Sequence, residues 1–189
     1  GMDRPTHGEV TVLNTKVPSL NILQQLGYMA QSDALYPELT GKENLAFFAS
    51  LFGLKKEKQK ERIHYASSLV ALNGDLGKKV SAYSGGMKRR LSLAIALVQD
   101  PEILILDEPT VGIDPELRVS IWDELYRLKN AGKTIVVTTH VMDEAERCDG
   151  LAMVRDGKIL TTGSPAQLKE QYGINSLEEV FLKAGRVQS

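Results

Sequence analysis

Ile103-Leu104-Ile105-Leu106-Asp107-Glu108-Pro109 sets four apolar residues directly before two acids and a proline. A continuous apolar run of this length fits a strand buried on both faces, as in a parallel sheet. The acids then fall at its carboxyl end, the edge at which open α/β sheets bind ligands. Downstream, Glu116 to Asn130 has amphipathic helical spacing, Gly132 stops it, and Thr134-Ile135-Val136-Val137-Thr138-Thr139 is a β-branched strand. Strand, helix and strand make a parallel crossover unit. Upstream, Ser84 opens a helical run that reaches Gln99 and stops at Asp100-Pro101, because proline disfavours helical geometry in the residue before it. Gly8 to Leu13 and Leu26 to Gln31 alternate as strands, with a polar connection between them. Thr40 to about Leu76 changes to helical spacing through Leu45, Phe48, Ala49 and Phe52 and then Ile63, Ala66, Leu69 and Val70. Between these sets, Lys55 to Arg62 interleaves bases with acids and reads as a solvated helix face without a binding partner. After the crossover, Leu151 to Val154 and Lys158 to Thr162 flank the hairpin dipeptide Asp156-Gly157. Helical segments around Ala166 to Tyr172 and Ser176 to Lys183 follow.

The 189 residues suffice for one domain or two small lobes that bury about 70% of the unfolded surface. Lys plus Arg number 23 and Asp plus Glu 24, so the formal charge of -1 argues for neither nucleic acid nor anionic lipid as a partner. A hydrophobic share of 42% excludes a disordered chain. The longest apolar run is Leu93 to Val98, far short of the roughly 20 residues of a membrane-spanning helix. A single cysteine, Cys148, and the lack of a basic-then-apolar export signal point to a reducing, cytoplasmic setting.

Three constellations carry chemistry. Of the acids at the strand end, Asp107 fits a Mg2+ ligand, directly or through water, and Glu108 fits a group that orients or deprotonates an attacking water. Both acids also fit a plain turn cap. Ser84-Gly85-Gly86-Met87 places a capping serine and two small residues at a helix N-terminus, where unpaired N–H groups attract phosphate. The same residues fit an ordinary capped helix. His140, after the second strand, suits a hydrogen bond to a transferring phosphoryl group or a structural role. Gln31 offers an uncharged oxygen for Mg2+ or water, or is a loop residue.

Taken in chain order, Gln31, Ser84-Gly85-Gly86-Met87, Ile103 to Glu108, Gly112-Ile113-Asp114 and His140 resemble the nucleotide-binding domain of an ATP-binding-cassette (ABC) ATPase. They match that family's Q-loop, signature motif, Walker B with its catalytic glutamate, D-loop and H-loop, over Val10 to Gly163. The resemblance implies an α/β, P-loop NTPase-like core with a mixed, largely parallel sheet and a helical subdomain. It divides the chain into a truncated N-terminal core with the Q-loop (1–39), the helical subdomain (40–83), the signature helix and catalytic core (84–163) and a C-terminal helical segment (164–189). It implies catalytic roles for Glu108, His140 and Gln31, Mg2+ ligation by Asp107 and Gln31, and contacts of Ser84, Gly85, Gly86 and Met87 with the ATP of an opposing domain. Asp114 belongs to the same ATP-binding set and serves dimer communication. The implied cofactors are ATP and Mg2+. The implied partners are the transmembrane subunits of an ABC permease, met through the segment after Gln31, and a second nucleotide-binding domain packed head to tail. The implied location is the cytoplasmic face of the membrane. Tyr83 to Met87 and Ser176 to Leu182 look most like the drug, antibiotic or polysaccharide exporter branch and the related lipid-transporter branch.

The resemblance has one gap. No G-x-x-x-x-G-K-[ST] loop occurs, and the family's adenine-stacking aromatic, which lies upstream, is missing too. The lone Gly-Lys-Thr, Gly132-Lys133-Thr134, has Arg127 five positions before it and lies between a helix and a strand. Arg4-Pro5-Thr6-His7-Gly8-Glu9 resembles the stretch that follows the helix after that loop, so the expectation is a chain that begins just beyond it and is inactive alone. Loss of the loop's strand and helix should uncover the sheet and expose apolar surface, giving low stability, aggregation or a stabilising oligomer. Ala30, Tyr83, Met87 and Val111 vary family positions without removing a charged catalytic group. Two other functions stay open: a soluble ABC-type ATPase of translation or DNA repair, and a non-catalytic, degenerate ABC module.

Overall fold

The computed structural model describes residues 3–31 and 34–187, with side chains through 185. Residues 32 and 33, in the segment assigned to permease contact, lie outside the described residues. The chain divides into two compact units, Gly1–Thr138 and Thr139–Ser189.

The first unit opens with an antiparallel hairpin, β1 (Val10–Val12) and β2 (Thr15–Val17). Leu13 and Asn14 both take positive φ, the turn geometry that matches strand twist in tight hairpins. The polar connection expected after Leu13 therefore contains a strand, too short and mixed in Thr15-Lys16-Val17 to show an alternation. Three parallel strands follow in the order β3 (Leu26–Met29), β4 (Ile103–Asp107) and β5 (Thr134–Thr138), so the crossover read from sequence is present. Their helices are α1 (Gly41–Leu51), α2 (Lys56–Leu69), α3 (Gly85–Val98) and α4 (Pro115–Asn130). Thr40 and Glu43 form a reciprocal capping box that fixes the start of α1. Residues 91 to 98 of α3 are all buried, because this helix packs on β3 and β4 and also against α1 and α2.

Burial of β4 corrects one expectation. Leu104 and Leu106 are fully buried, but Ile103, Ile105 and Asp107 on the opposite face are only partly covered. On that face Tyr28, Ile105 and Val136 align across the three strands, with Tyr28 62% and Val136 49% exposed. This face of the sheet is therefore partly open among the described residues. We expect the chain to self-associate as its concentration rises, and Val136→Thr, which keeps the β-branched shape, to reduce this without lowering the melting temperature. Light scattering across a concentration series checks it; a purely monomeric wild type would contradict it.

The solvated face expected at Lys55 to Arg62 ends differently than its composition suggests. The Arg62 side chain turns inward, donating to the carbonyls of Leu97 (2.6 Å) and Val98 (3.1 Å) at the end of α3 and lying over the Tyr65 ring. One turn on, the Tyr65 hydroxyl donates to Glu124 of α4, and Arg127 donates to both Glu124 oxygens (2.5 and 2.8 Å). The Arg127 hydrogen bond holds the Glu124 carboxyl below its ordinary range; burial opposes this, and the Tyr65 hydroxyl and the charges of Arg127 and Arg62 assist. Burial and the Glu124 bond push Tyr65 up to about 12, so it stays a donor. Because the folded pKa of Glu124 is depressed, its stabilisation is present above the unfolded value and lost as pH falls through the folded one. Glu124→Gln should therefore flatten the decline of the melting temperature between about pH 5 and about pH 3. Parallel declines in variant and wild type would contradict this.

The second unit holds α5 (Met142–Ala145), the antiparallel hairpin β6 (Leu151–Arg155) and β7 (Lys158–Gly163), then α6 (Pro165–Tyr172) and α7 (Leu177–Val187). Asp156 and Gly157 turn the hairpin with positive φ, as their sequence requires. Ala145, Met153, Leu168, Leu177 and Val180 form its core.

Candidate functional site

Two adjacent strand ends and two helix starts carry the candidate residues of the first unit. Asp107 is the last residue of β4, on the partly covered face, and its carboxylate accepts from the Thr138 hydroxyl of the neighbouring strand. Glu108 follows in a left-handed conformation (φ 49°), which a non-glycine residue adopts only when its surroundings fix it. They do: its N–H donates to the Thr138 carbonyl at 3.0 Å and to the Thr138 hydroxyl at 3.2 Å, and its carbonyl accepts from Arg89 at 2.8 Å. The strand thus stops at Asp107, and the chain reverses at Glu108. The turn is held through main chain and through Thr138.

Ser84 caps α3, accepting from the Met87 N–H at 3.3 Å, with Gly85 and Gly86 in the first turn. First-turn N–H groups have no partner within a helix, and nothing lies within 4 Å of a Cβ placed on Gly85, so the approach to this end is open. A Cβ on Gly86 would sit 3.1 Å from the Gly112 carbonyl, so the helix start abuts Gly112-Ile113-Asp114. Asp114 caps α4, accepting from the Leu117 N–H at 2.9 Å, with Pro115 in the first turn. Met87 is half-buried and Gln31 exposed.

Arg89 ties these elements together. It is only 9% exposed and donates to the carbonyls of Ala30 (2.9 Å), Gln31 (3.0 Å), Asp107 and Glu108 (2.8 Å). Gln31, Asp107 and Glu108 are therefore brought together by one side chain of the signature helix. Arg89 stands inside the basic run Lys88-Arg89-Arg90, which by composition alone reads as solvated charge. The signal was its position four, seven and eight residues before Leu93, Ala96 and Leu97, on the face of the helix that packs inward.

His140 belongs to the second unit and is exposed. Its neighbour Thr139 accepts from the Val141 N–H (3.0 Å) and donates to Glu144 (2.7 Å), which is 3% exposed, so the backbone is braced on both sides of the imidazole. Lys133 of the Gly-Lys-Thr tripeptide is structural: its ammonium binds the carbonyls of Asp100 and Pro101 and the Asp100 carboxylate (3.0 Å).

The residues present fit part of a MgATP site. Asp107 supplies a hard oxygen ligand, and the open start of α3 supplies phosphate-binding N–H groups. Among the described residues, no group of three or more His, Cys, Asp or Glu side chains could hold a metal by itself.

Residues 1–111 match the family described as ABC transporter. The chain belongs to that family. It is 42% identical over 184 residues to Nod factor export ATP-binding protein I of Rhizobium sp. strain N33, covering 96% of this chain and 60% of that protein. The protein of the same name from Rhizobium etli is 41% identical, covering 90% of this chain and 55% of the relative. ABC transporter G family member 20 of Dictyostelium discoideum is 41% identical, covering 95% of this chain and 25% of its own length. The chain thus spans little more than half of the bacterial relatives it matches. Among solved structures, the ATP-binding subunit of an ABC transporter superposes with a TM-score of 0.87 at 25% identity, covering 96% of this chain and 78% of that one. The ATP-binding cassette MJ0796, in a dimeric post-hydrolysis state bound to ADP and Pi, gives 0.78 at 26% identity, covering 86% and 75%. The mixed α/β ABC ATPase fold expected from the motif order is the fold of this chain. No helix among the described residues is long and apolar enough to cross a membrane.

Proposed function

We propose that this chain is part of the energy-coupling ATPase subunit of an ABC exporter. In this reading it drives a separate permease and works at the cytoplasmic face of the membrane with a second nucleotide-binding domain. The observation that carries this reading is the clamping of Gln31, Asp107 and Glu108 to the signature helix, whose open start abuts the Asp114 turn. The names of the Nod factor export relatives support the exporter assignment. The division at 39/40, 83/84 and 163/164 belongs to the same proposal.

MgATP, when bound, supplies the phosphoryl bond to be cleaved and a metal charge that offsets the charge of the phosphates. Asp107 would hold Mg2+, with Gln31 as a second oxygen donor. Glu108 accepts the proton of the attacking water, and His140 donates a hydrogen bond to the γ-phosphate. Ser84, Gly85, Gly86 and Met87 face the nucleotide of the second domain, and Asp114 relays between the two.

Titrating MgATP into the 189-residue chain by calorimetry is expected to give no saturable heat, since the sequence contains no G-x-x-x-x-G-K-[ST] cradle. Saturable binding that Asp107→Ala abolishes would show that a site assembles without the loop. Joining the phosphate-loop segment of a Nod factor export relative to the N-terminus should restore phosphate release from MgATP. Failure of the joined cassette to release phosphate would favour the non-catalytic module.

A further inference from the structure

We infer that Arg89 is the positioning residue through which the signature helix sets the geometry of Gln31 and Glu108. The ladder between β3 and β4 ends at the pair Met29 and Leu106. Beyond it, the carbonyls of Ala30, Gln31, Asp107 and Glu108 have passed the point where the two strands pair, and the guanidinium of Arg89 takes up all four. One terminal nitrogen serves the β3 side and the other the β4 side. The planar guanidinium presents its donors in a fixed fork that spans both strand ends, whereas a lysine ammonium at the same place is a point donor. Among the described residues, every hydrogen bond of Arg89 goes to main chain, so its charge is satisfied by carbonyl dipoles whose positions it fixes in return.

The consequence is a mechanical link. Arg89 sits one turn after Gly85 and Gly86 on a rigid helix whose inner face is buried. A shift of that helix start carries the guanidinium with it, and with it the Gln31 carbonyl and the left-handed turn at Glu108. An event at the signature motif therefore reaches both catalytic loops through one side chain. The functional meaning of the link rests on the ATPase reading; the clamp itself does not.

Hydrogen exchange of the 189-residue chain, followed by mass spectrometry, tests it. Arg89→Met keeps the aliphatic stem and removes every donor. Amide exchange in peptides covering 26–31 and 104–112 should accelerate by about 10-fold or more, while peptides from 120–130 and 151–163 stay within about 2-fold of wild type. Arg89→Lys, which keeps the charge, should fall between the two and serves as the reading if the methionine variant does not fold. Unchanged exchange in the two segments, acceleration in one alone, or uniform acceleration across the first unit would overturn the inference. In the cassette joined to a phosphate-loop segment, Arg89→Lys should lower kcat by about 10-fold or more with KM for MgATP within about 3-fold of wild type, as befits loss of positioning rather than binding. Loss of kcat and KM control together would count against it. An inactive wild-type cassette would sink the ATPase reading and leave the exchange result to decide the clamp.

Discussion

Glu108→Gln is expected to abolish at least about 99% of the phosphate release of the joined cassette while leaving MgATP binding intact, because in the proposed mechanism it is the general base, which contributes about 100-fold or more, and an amide cannot take the proton. The substitution is a clean test because the backbone around Glu108 is held by groups other than its carboxylate. The left-handed φ is fixed by the Thr138 carbonyl and hydroxyl on the N–H side and by Arg89 on the carbonyl side. Glutamine has the same shape, so the turn survives and the loss reads chemistry. Phosphate release and calorimetry on the same preparation check both halves. Turnover equal to wild type would remove Glu108 from the mechanism; lost binding would mean that the residue shapes the site.

The largest effect on stability is expected at Gly27. It lies buried in β3 beneath α3, and a Cβ there would meet the carbonyl oxygen of Ala96 and fall 2.7 Å from both Leu104 Cδ2 and Pro101 Cγ. The Ala96 carbonyl is helix backbone inside the best-packed part of the unit, so relief requires moving α3 away from the sheet. Gly27→Ala should cost about 3 kcal/mol or more. That lowers the melting temperature of the first unit by about 6 °C or more at this chain length. Gly74→Ala, where nothing lies within 4 Å and φ is not positive, is the matched control and should stay within about 0.5 kcal/mol. Equal melting temperatures for the two variants, followed by circular dichroism, would show that the helix yields at little cost. A displacement of α3 also moves Arg89, so the Gly27 variant should share the loosened exchange at 104–112.

Much of the site was legible because its chemistry sits in short, ordered stretches. The run Ile103 to Glu108 announced a strand with acids at its functional end, and Ser84-Gly85-Gly86 announced a capped, open helix start; both are found. The resemblance implies dimer communication for Asp114, and the structure adds that it caps α4. Thr138 and Arg89 are not legible as site residues, since Thr138 meets the Asp107 carboxylate and the Glu108 N–H, and Arg89 four main-chain carbonyls, all far away in sequence. The charge of Lys55 to Arg62 misled about Arg62 for a related reason: composition cannot say which long side chain turns back along its stem to reach buried carbonyls.

What the sequence determined by itself is the type and order of the longer elements, because helical and strand periodicity, caps and hairpin dipeptides are local, whereas the three-residue strand β2 offers no alternation to read. Tertiary structure alone decided which loops are coupled. The four carbonyls on Arg89 come from residues 58, 59, 18 and 19 positions away, and only the packing of α3 beneath the strand ends brings them to one guanidinium. It also decided which sheet face is open. That depends on what covers Tyr28, Ile105 and Val136 in space, and an apolar run reads the same whether one of its faces is covered or both.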